Sequence, residues 1–555
     1  MRPRPPDTHA REQDVRLTAT RRIERIAGNR GPLLALVGLG IALRIWQYAF
    51  DATLWLDEIA FSRNILGLSL HDLLLRPLSY DQVAPRGFIL VEKLMSLAFG
   101  PSELTLRFIP LVVSIAGVIL FWRLAERMLD GVAVHFALFL YAIAIPLVKY
   151  AAEVKQYGLD AAVATVLVLL ALDLRDREPT RRRLWLTGLA GFVLVWFSQT
   201  SVIVLGGLGV ALGIEWLAAR DRRTLLPVII TVPLWALGAL LAVVAGMRSM
   251  TPSTQVFMYE FWSAGFLPWP IRPASGTSWL WTRLTELFGD RWLLRYPWPA
   301  IYVSLAALGT VALWRTRRDR AHMLVGVFGM ALVAAVLHQY PLFGRVAVYL
   351  IPFLLIAAAA GADWLRRAAG RYGASFGSAV MLACLVPPVS AVASAPPPYT
   401  TEDYRTVFAY LRDHRVPGDS VYVVGNAHSG AIFYGPRYGL ARSDWRRGIC
   451  DRNDARPFVR DVDRYRGVER LWVFSTGVRP LRVARESIRS YLGTIGTRRD
   501  SLFVPSLTLG PVTLELYDLS DPNRLRAAQA ESFPVQPMPT APRPGCRDWS
   551  GPPGQ

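Results

Sequence analysis

Lysine is almost absent from this chain: of 62 basic residues, only Lys93, Lys149 and Lys155 are lysines. Arginine is the default base, which reflects coding bias rather than physics. Cysteine is scarce as well. Cys384, Cys450 and Cys546 form no CxxC or Cys/His pattern, which excludes a metal site of that kind. Cys384 lies in an apolar run and is read as packing. Polar surface is also short: 52% of the 555 residues are hydrophobic and 19% charged. The mean hydropathy is +0.29. A soluble globule is excluded, and repeated runs of membrane length make this a polytopic membrane protein. No small-residue cleavage site follows the arginine-rich residues 1–30, so the first apolar run is read as an uncleaved signal anchor rather than a signal peptide. The net charge of +20 does not mark a nucleic-acid binder. The arginines sit in short clusters between apolar runs, where they orient helices against an anionic leaflet.

Those clusters fix a topology. Spans are expected at 32–49, 106–122, 131–149, 157–173, 184–198, 201–217, 225–246, 299–314, 321–337, 346–362 and 375–392. Residues 184–217 must be two helices, because one would reach roughly 51 Å at 1.5 Å per residue. Ser198-Gln199-Thr200 is the turn between them. The apolar segment from Arg86 to Phe99 is short and carries Glu92 and Lys93 at its centre. It is placed as a helix lying on the outer interface, since counting it as a span would invert every later loop. With that choice the clusters at Arg123 and Arg127, Arg175 to Arg183, Arg220 to Arg223, Arg315 to Arg320 and Arg366 to Arg371 all face the cytoplasm, as does the basic N-terminus 1–31.

The expected organisation is therefore a transmembrane domain at 32–395 with outer loops 50–105 and 247–298. After Ala395-Pro396-Pro397-Pro398 an extracytoplasmic α/β domain follows at 396–520, and 521–555, rich in Pro, Arg and Ala, is expected to be disordered. In the outer domain Ser420 to Gly425, Arg470 to Ser475 and Val512 to Tyr517 read as strands, and Asp403 to His414 and Arg485 to Leu492 as helices. Gly425-Asn426-Ala427-His428-Ser429-Gly430 follows a strand but lacks dinucleotide-binding spacing and is an ordinary turn. Cys450 and Cys546 lie on the oxidising side, where a disulfide between them is allowed.

Four stretches then share the outer side. Leu54-Trp55-Leu56-Asp57-Glu58 places two acids at a membrane edge, where a carboxylate persists only if it lines a polar cavity, meets a partner or does chemistry. Two plain interfacial acids are the bland alternative. Lys149-Tyr150-Ala151-Ala152-Glu153-Val154-Lys155-Gln156-Tyr157 adds Glu153 at the same edge, with Lys149, Glu153 and Tyr157 on one face at helical spacing. A self-neutralising Glu-Lys pair is the alternative there. Arg345 opens a late span on the outer side, where a guanidinium suits two-pronged capture of a phosphodiester or nonspecific contact with a headgroup. Loop 247–298, rich in Trp, Tyr, Phe and Pro, is an aromatic belt or the wall of a lipid or acceptor groove. Tyr150, Lys93, His338 and Tyr340 are candidates for lining such a groove.

Acids beside cations on an outer face suit glycosyl transfer from a polyprenyl-phosphate sugar. The leaving phosphate needs cations to hold its growing charge, and the acceptor hydroxyl needs a base. The same residues carry a resemblance. Leu-Trp-Leu-Asp57-Glu58, Ala84-Pro85, Phe99-Gly100-Pro101-Ser102-Glu103 with Leu106-Arg107-Phe108, the Tyr150 to Tyr157 stretch, Arg345 with Tyr349 and Pro352, and Asp403-Tyr404-Arg405 to Gly418-Asp419 resemble the bacterial branch of the protein O-mannosyltransferase and aminoarabinose transferase superfamily. These are GT-C integral-membrane glycosyltransferases related to glycosyltransferase family 39. The resemblance covers roughly residues 32–430.

It implies an inverting hexosyl- or pentosyltransferase of the bacterial inner membrane, acting at the periplasmic face in cell-envelope glycan, lipid or protein glycosylation. Its partners would be a polyprenyl-phosphate-sugar donor, a lipid, glycan or protein acceptor, and membrane lipids. It makes Asp57 the principal catalytic carboxylate, Glu58 its orienting neighbour and Glu153 the second family acid. Lys155, standing where the family often has arginine, contacts the donor phosphate with Arg345 and Tyr157. The first-loop Pro-Pro-Leu of the family is here Pro85-Arg86-Gly87, and Arg86 is a further cation for the donor. Asp57, Glu58 and Glu153 offer oxygens to a divalent cation, although no dense ligand cluster demands a metal. The alternatives are a transporter or flippase of a lipid-linked glycan, against which no inverted repeat is visible, and a noncatalytic scaffold of envelope assembly.

Overall fold

The computed structural model describes residues 30–449, 451, 454–477, 482–537 and 551. The N-terminal segment 1–29, Cys450 and Cys546 with the disulfide allowed between them, and most of the tail beyond 537 lie outside the described residues. Through residue 394 the chain is helical, and from residue 404 it alternates helix and strand. Among the described residues eight helices are long and apolar enough to cross a membrane, or nine if Val132–Ile143 and Ile145–Ala152, bent by 53°, count as one. This is a multi-spanning helical membrane protein with a C-terminal α/β domain. Each of the eleven expected spans coincides with helix, but those in Arg181–Leu194 and Pro299–Thr316 do not pass that test. Between the paired helices, Arg181–Leu194 and Ser201–Ala219, Ser198 donates to Asp160 at 2.6 Å.

The segment Gly344–Tyr372 is the most enclosed of the spans, 94% buried. Two glycines explain how its neighbour comes so near. A Cβ on Gly309 would stand 1.8 Å from the Ala357 carbonyl oxygen, and one on Gly361 2.0 Å from that of Leu305. The two backbones touch, as small-residue crossings allow in a membrane. This fixes the segment whose N-terminal end carries Arg345.

In the segment between the first two spans a helix covers Leu56–Gly67 and another Arg86–Phe99. The second begins after Pro85, whose fixed φ suits a helix start, and stops at Gly100 (φ 87°). Its Phe88 stacks on Phe61 of the first with ring centroids 5.9 Å apart, so the two helices pack together.

The C-terminal domain holds a five-stranded sheet in the order β2-β1-β3-β5-β4, with β1 Ser420–Val423, β2 Arg446–Arg447, β3 Leu471–Gly477, β4 Thr497–Val504 and β5 Gly510–Asp518. β1 pairs in parallel with β2 and β3, and β5 runs antiparallel to β3 and β4. β4 escapes a sequence reading because Thr497-Arg498-Arg499-Asp500 is polar. It is an edge strand, where charge prevents further pairing. Disorder from residue 521 onward does not hold for 521–537. Arg466 donates to the Leu525 and Ala528 carbonyls, and Phe533 packs edge-on against Tyr491. The two parts are joined by ion pairs: Arg405 meets Asp51 and Glu103, and Arg437 reaches Glu103.

Candidate active site

The site starts where extended chain becomes helix. Trp55 (φ −88°, ψ 171°) precedes the first helical residue Leu56, so Asp57 and Glu58 occupy the first turn, where the helix dipole favours negative charge. Consecutive helical side chains diverge by about 100°, and these two acids go to different partners.

Asp57 meets two cations: Arg345 at 2.9 Å and Lys155 at 3.3 Å. Gln82 ties the pair together, donating its amide to Asp57 at 3.1 Å and accepting from the Lys155 ammonium. Burial would raise the Asp57 carboxyl, but Lys155 and Arg345 outweigh it and hold it at about 2. Burial, opposed by Asp57 and reinforced by Arg345, holds Lys155 below the ordinary lysine value.

Glu58 points the other way, to Arg107 at 2.9 Å, with each side chain 2% exposed. It also accepts the Val154 N–H at 2.8 Å. Arg107 continues to the carbonyls of Ala52 and Thr53, so this pair splints the approach to Asp57. Burial pushes the Glu58 carboxyl above the ordinary glutamate value even against Arg107. Removing one partner of such a pair strands a buried charge. Arg107→Ala is expected to lower stability by about 3 kcal/mol, and adding Glu58→Gln to recover most of that. The thermal midpoint of the detergent-solubilised protein reads both.

Glu153 belongs to a third pairing. It accepts from Lys149 at 2.5 Å and from the Trp55 indole N–H at 2.6 Å. The expected continuous helical face of Lys149, Glu153 and Tyr157 is interrupted: Tyr150–Ala152 is a single 3-10 turn, Glu153 is extended (φ −135°, ψ 132°), and a new helix starts at Tyr157. The break has a consequence. It leaves Lys149 on Glu153 and turns Lys155 to Asp57. The three acids therefore form adjoining ion pairs, and only Asp57 meets both Lys155 and Arg345.

Aromatic rings surround Arg345. Its guanidinium carbon lies 5.2 Å from the Trp55 ring centroid, 5.3 Å from Trp292, 5.5 Å from Trp262 and 5.8 Å from Tyr157. Such faces attract a cation while excluding water. Trp262 and Trp292 come from loop 247–298, whose Val256, Tyr259, Phe261 and Trp269 are exposed. The loop thus presents an apolar face outward and two indoles to the site. Tyr150 lies beside it, its ring 5.1 Å from that of Tyr157 and 4.9 Å from the Lys149 ammonium.

Other expected contributors are engaged elsewhere. Arg86 donates to the Leu73 and Arg76 carbonyls, and Lys93 to the Ile65 carbonyl at 2.8 Å. His338 contacts Tyr259 at 3.0 Å and the Leu267 carbonyl at 2.7 Å, against loop 247–298. The Tyr340 hydroxyl donates to the Val346 carbonyl at 3.4 Å.

Gln82, Trp262 and Trp292 were not singled out from sequence, and Arg107 entered only as part of a motif, without a role. Gln82 is a neutral residue in a loop and gave no signal. What aims it is a turn in which Tyr80 (φ 64°) and Asp81 (φ 55°) are both left-handed, a strained geometry typical of functional sites. Arg107 stands near the start of a long apolar run, and a charge that deep calls for a partner.

No group of three or more His, Cys, Asp or Glu among the described residues could hold a metal ion. Each of the three acids is paired with a cation.

No family model matches this chain, and no curated protein matches it. Solved structures do. The Archaeoglobus fulgidus oligosaccharyltransferase tethered with an acceptor peptide containing the NVT sequon is similar at TM-score 0.48 and 12% identity, over 92% of this chain and 75% of that one. AglB from the same organism, in complex with an inhibitory peptide and a dolichol-phosphate, gives 0.44 and 11% over 86% and 74%. ArnT from Cupriavidus metallidurans bound to undecaprenyl phosphate gives 0.44 and 12% over 88% and 98%. At scores below 0.5 these likenesses carry no argument about chemistry.

Proposed function

We propose that this protein is an inverting glycosyltransferase of the GT-C class, moving a sugar from a polyprenyl-phosphate donor to an acceptor hydroxyl at the outer face of the bacterial inner membrane. The observation that carries this reading is the half-buried Asp57 carboxylate held between Lys155 and Arg345, whose guanidinium lies among aromatic rings. Two cations converge there on one carboxylate, where a phosphate could take its place. The arginine clusters support an outer location for these residues, since they fall between the spans on the opposite side.

Held at about 2, the resting carboxylate is a weak base. A donor phosphate that draws Lys155 and Arg345 to itself frees Asp57 and raises its basicity at the moment the acceptor is in place. Asp57 then takes the hydroxyl proton as the acceptor oxygen bonds to the anomeric carbon. The bond from that carbon to the phosphate oxygen breaks, and its electron pair leaves on the polyprenyl phosphate, stabilised by Lys155 and Arg345. One displacement inverts the anomeric centre.

This coupling has a pH signature. With a carboxyl held at about 2 against an ordinary 3.8, the free enzyme keeps Asp57 ionised until well below pH 4. Because kcat/KM reports the free enzyme and kcat the complex, the acidic limb of kcat is expected at higher pH than that of kcat/KM. Coincident limbs would contradict competition between phosphate and Asp57 for the cations.

The direct test is whether purified protein in detergent converts a synthetic undecaprenyl-phosphate sugar to undecaprenyl phosphate in the presence of envelope lipid, glycan or peptide acceptors. A flippase would leave the donor intact there, since detergent offers no second leaflet.

A further inference from the structure

The backbone leading into Asp57 is held by residues some 350 positions later in the chain. The Leu56 N–H is the first of the helix and has no partner within it. It donates at 2.9 Å to the Glu402 carboxylate, which also accepts from the Tyr404 hydroxyl at 2.7 Å. Two residues back, the Leu54 N–H donates to the Tyr434 hydroxyl at 2.7 Å. One residue further, the Thr53 hydroxyl donates to the Glu402 carbonyl and accepts from the Tyr404 N–H. Glu402 is 1% exposed, and Tyr404 and Tyr434 are fully buried. The helix His428–Tyr434 packs against Leu56–Gly67 itself.

We propose that Glu402 is a positioning residue for the transfer reaction: its carboxylate caps the helix bearing Asp57 and, with Tyr404 and Tyr434, makes the C-terminal domain set the orientation of that carboxylate. The inference rests on the glycosyltransferase reading above. Burying an acid here has a local reason. A negative charge at a helix N-terminus is favoured by the dipole and by the orphan N–H it accepts. It also has a functional one. Asp57 must stand between Lys155 and Arg345 on one side and the acceptor on the other, and a small tilt of its helix would spoil both distances. The C-terminal domain is then part of the catalytic apparatus.

The test compares Glu402→Ala with Glu402→Gln in the full-length protein. Glutamine keeps an oxygen that can accept the Leu56 N–H, and alanine does not. Glu402→Ala is expected to lower kcat about thirtyfold, the scale of loss for sub-ångström to ångström misplacement, with donor KM within about twofold of wild type. Glu402→Gln is expected to restore kcat to within about threefold of wild type. Hydrogen exchange of the 53–58 backbone should quicken in the alanine variant and not in the glutamine one. If Glu402→Ala does not fold, Tyr434→Phe removes only the acceptor of the Leu54 N–H and should show the same kcat-selective loss and faster exchange. Unchanged exchange in the alanine variant overturns the proposal, as does unchanged kcat. So does a loss shared equally by the glutamine variant or a donor KM that rises in step. If wild-type protein turns over no polyprenyl-phosphate sugar, the functional reading falls, and the exchange data alone still decide whether Glu402 holds this helix.

Discussion

Asp57→Asn is expected to lower kcat by at least about a thousandfold, the upper range for removing a positioned general base. Undecaprenyl phosphate should bind the variant at least as tightly as wild type. The second half of that expectation follows from the resting geometry. Asp57 is the carboxylate held between Lys155 at 3.3 Å and Arg345 at 2.9 Å, so a donor phosphate must displace it. Asparagine keeps the shape and the hydrogen bond from Gln82 but gives up the charge that competes. Measuring kcat alongside lipid binding separates this account from simple damage: a misfolded variant loses both. Retained turnover would remove Asp57 from the reaction, and weakened lipid binding would contradict the competition.

Arg345→Met is expected to weaken donor binding by about a hundredfold or more, since it would remove one member of the guanidinium–phosphate pair proposed for the complex, and losing one member of such a pair costs about 2 to 5 kcal/mol. Lysine should not rescue it. A guanidinium is planar and can lie against Trp55, Trp262 and Trp292 while presenting two N–H groups to a phosphate, whereas an ammonium is a point charge that must shed more water to enter the same cage. Binding of undecaprenyl phosphate measured by native mass spectrometry checks both substitutions. A variant that binds the lipid normally while losing turnover would move Arg345 from holding the donor to some other task.

Several parts of this site were legible in the chain because charge beside long apolar runs is costly and therefore informative. Asp57, Glu153, Lys155 and Arg345 stood out on that ground, and the structure brings Asp57, Lys155 and Arg345 into direct contact. The arrangement of the rest was not legible. Helical spacing joined Lys149, Glu153 and Tyr157, but the chain breaks at Tyr150–Ala152 and hands Lys155 to a different acid. Arg86 looked like a spare cation, yet it caps carbonyls of its own loop. Gln82 carried no charge to mark it, and Glu402 lies 346 positions from the Leu56 N–H it accepts.

By itself, the sequence determined the helical membrane body, the helix Arg86–Phe99 and the three apolar strands β1, β3 and β5 of the C-terminal domain. Apolar run length and periodicity are local properties that each segment expresses on its own. Only the tertiary structure decided which acid met which cation. Asp57 and Glu58 are neighbours in the chain, yet a turn of the helix sends one to Arg345 and the other to Arg107. Partner choice among buried charges depends on the crossing of distant helices and on a docked domain, and no local stretch of sequence encodes either.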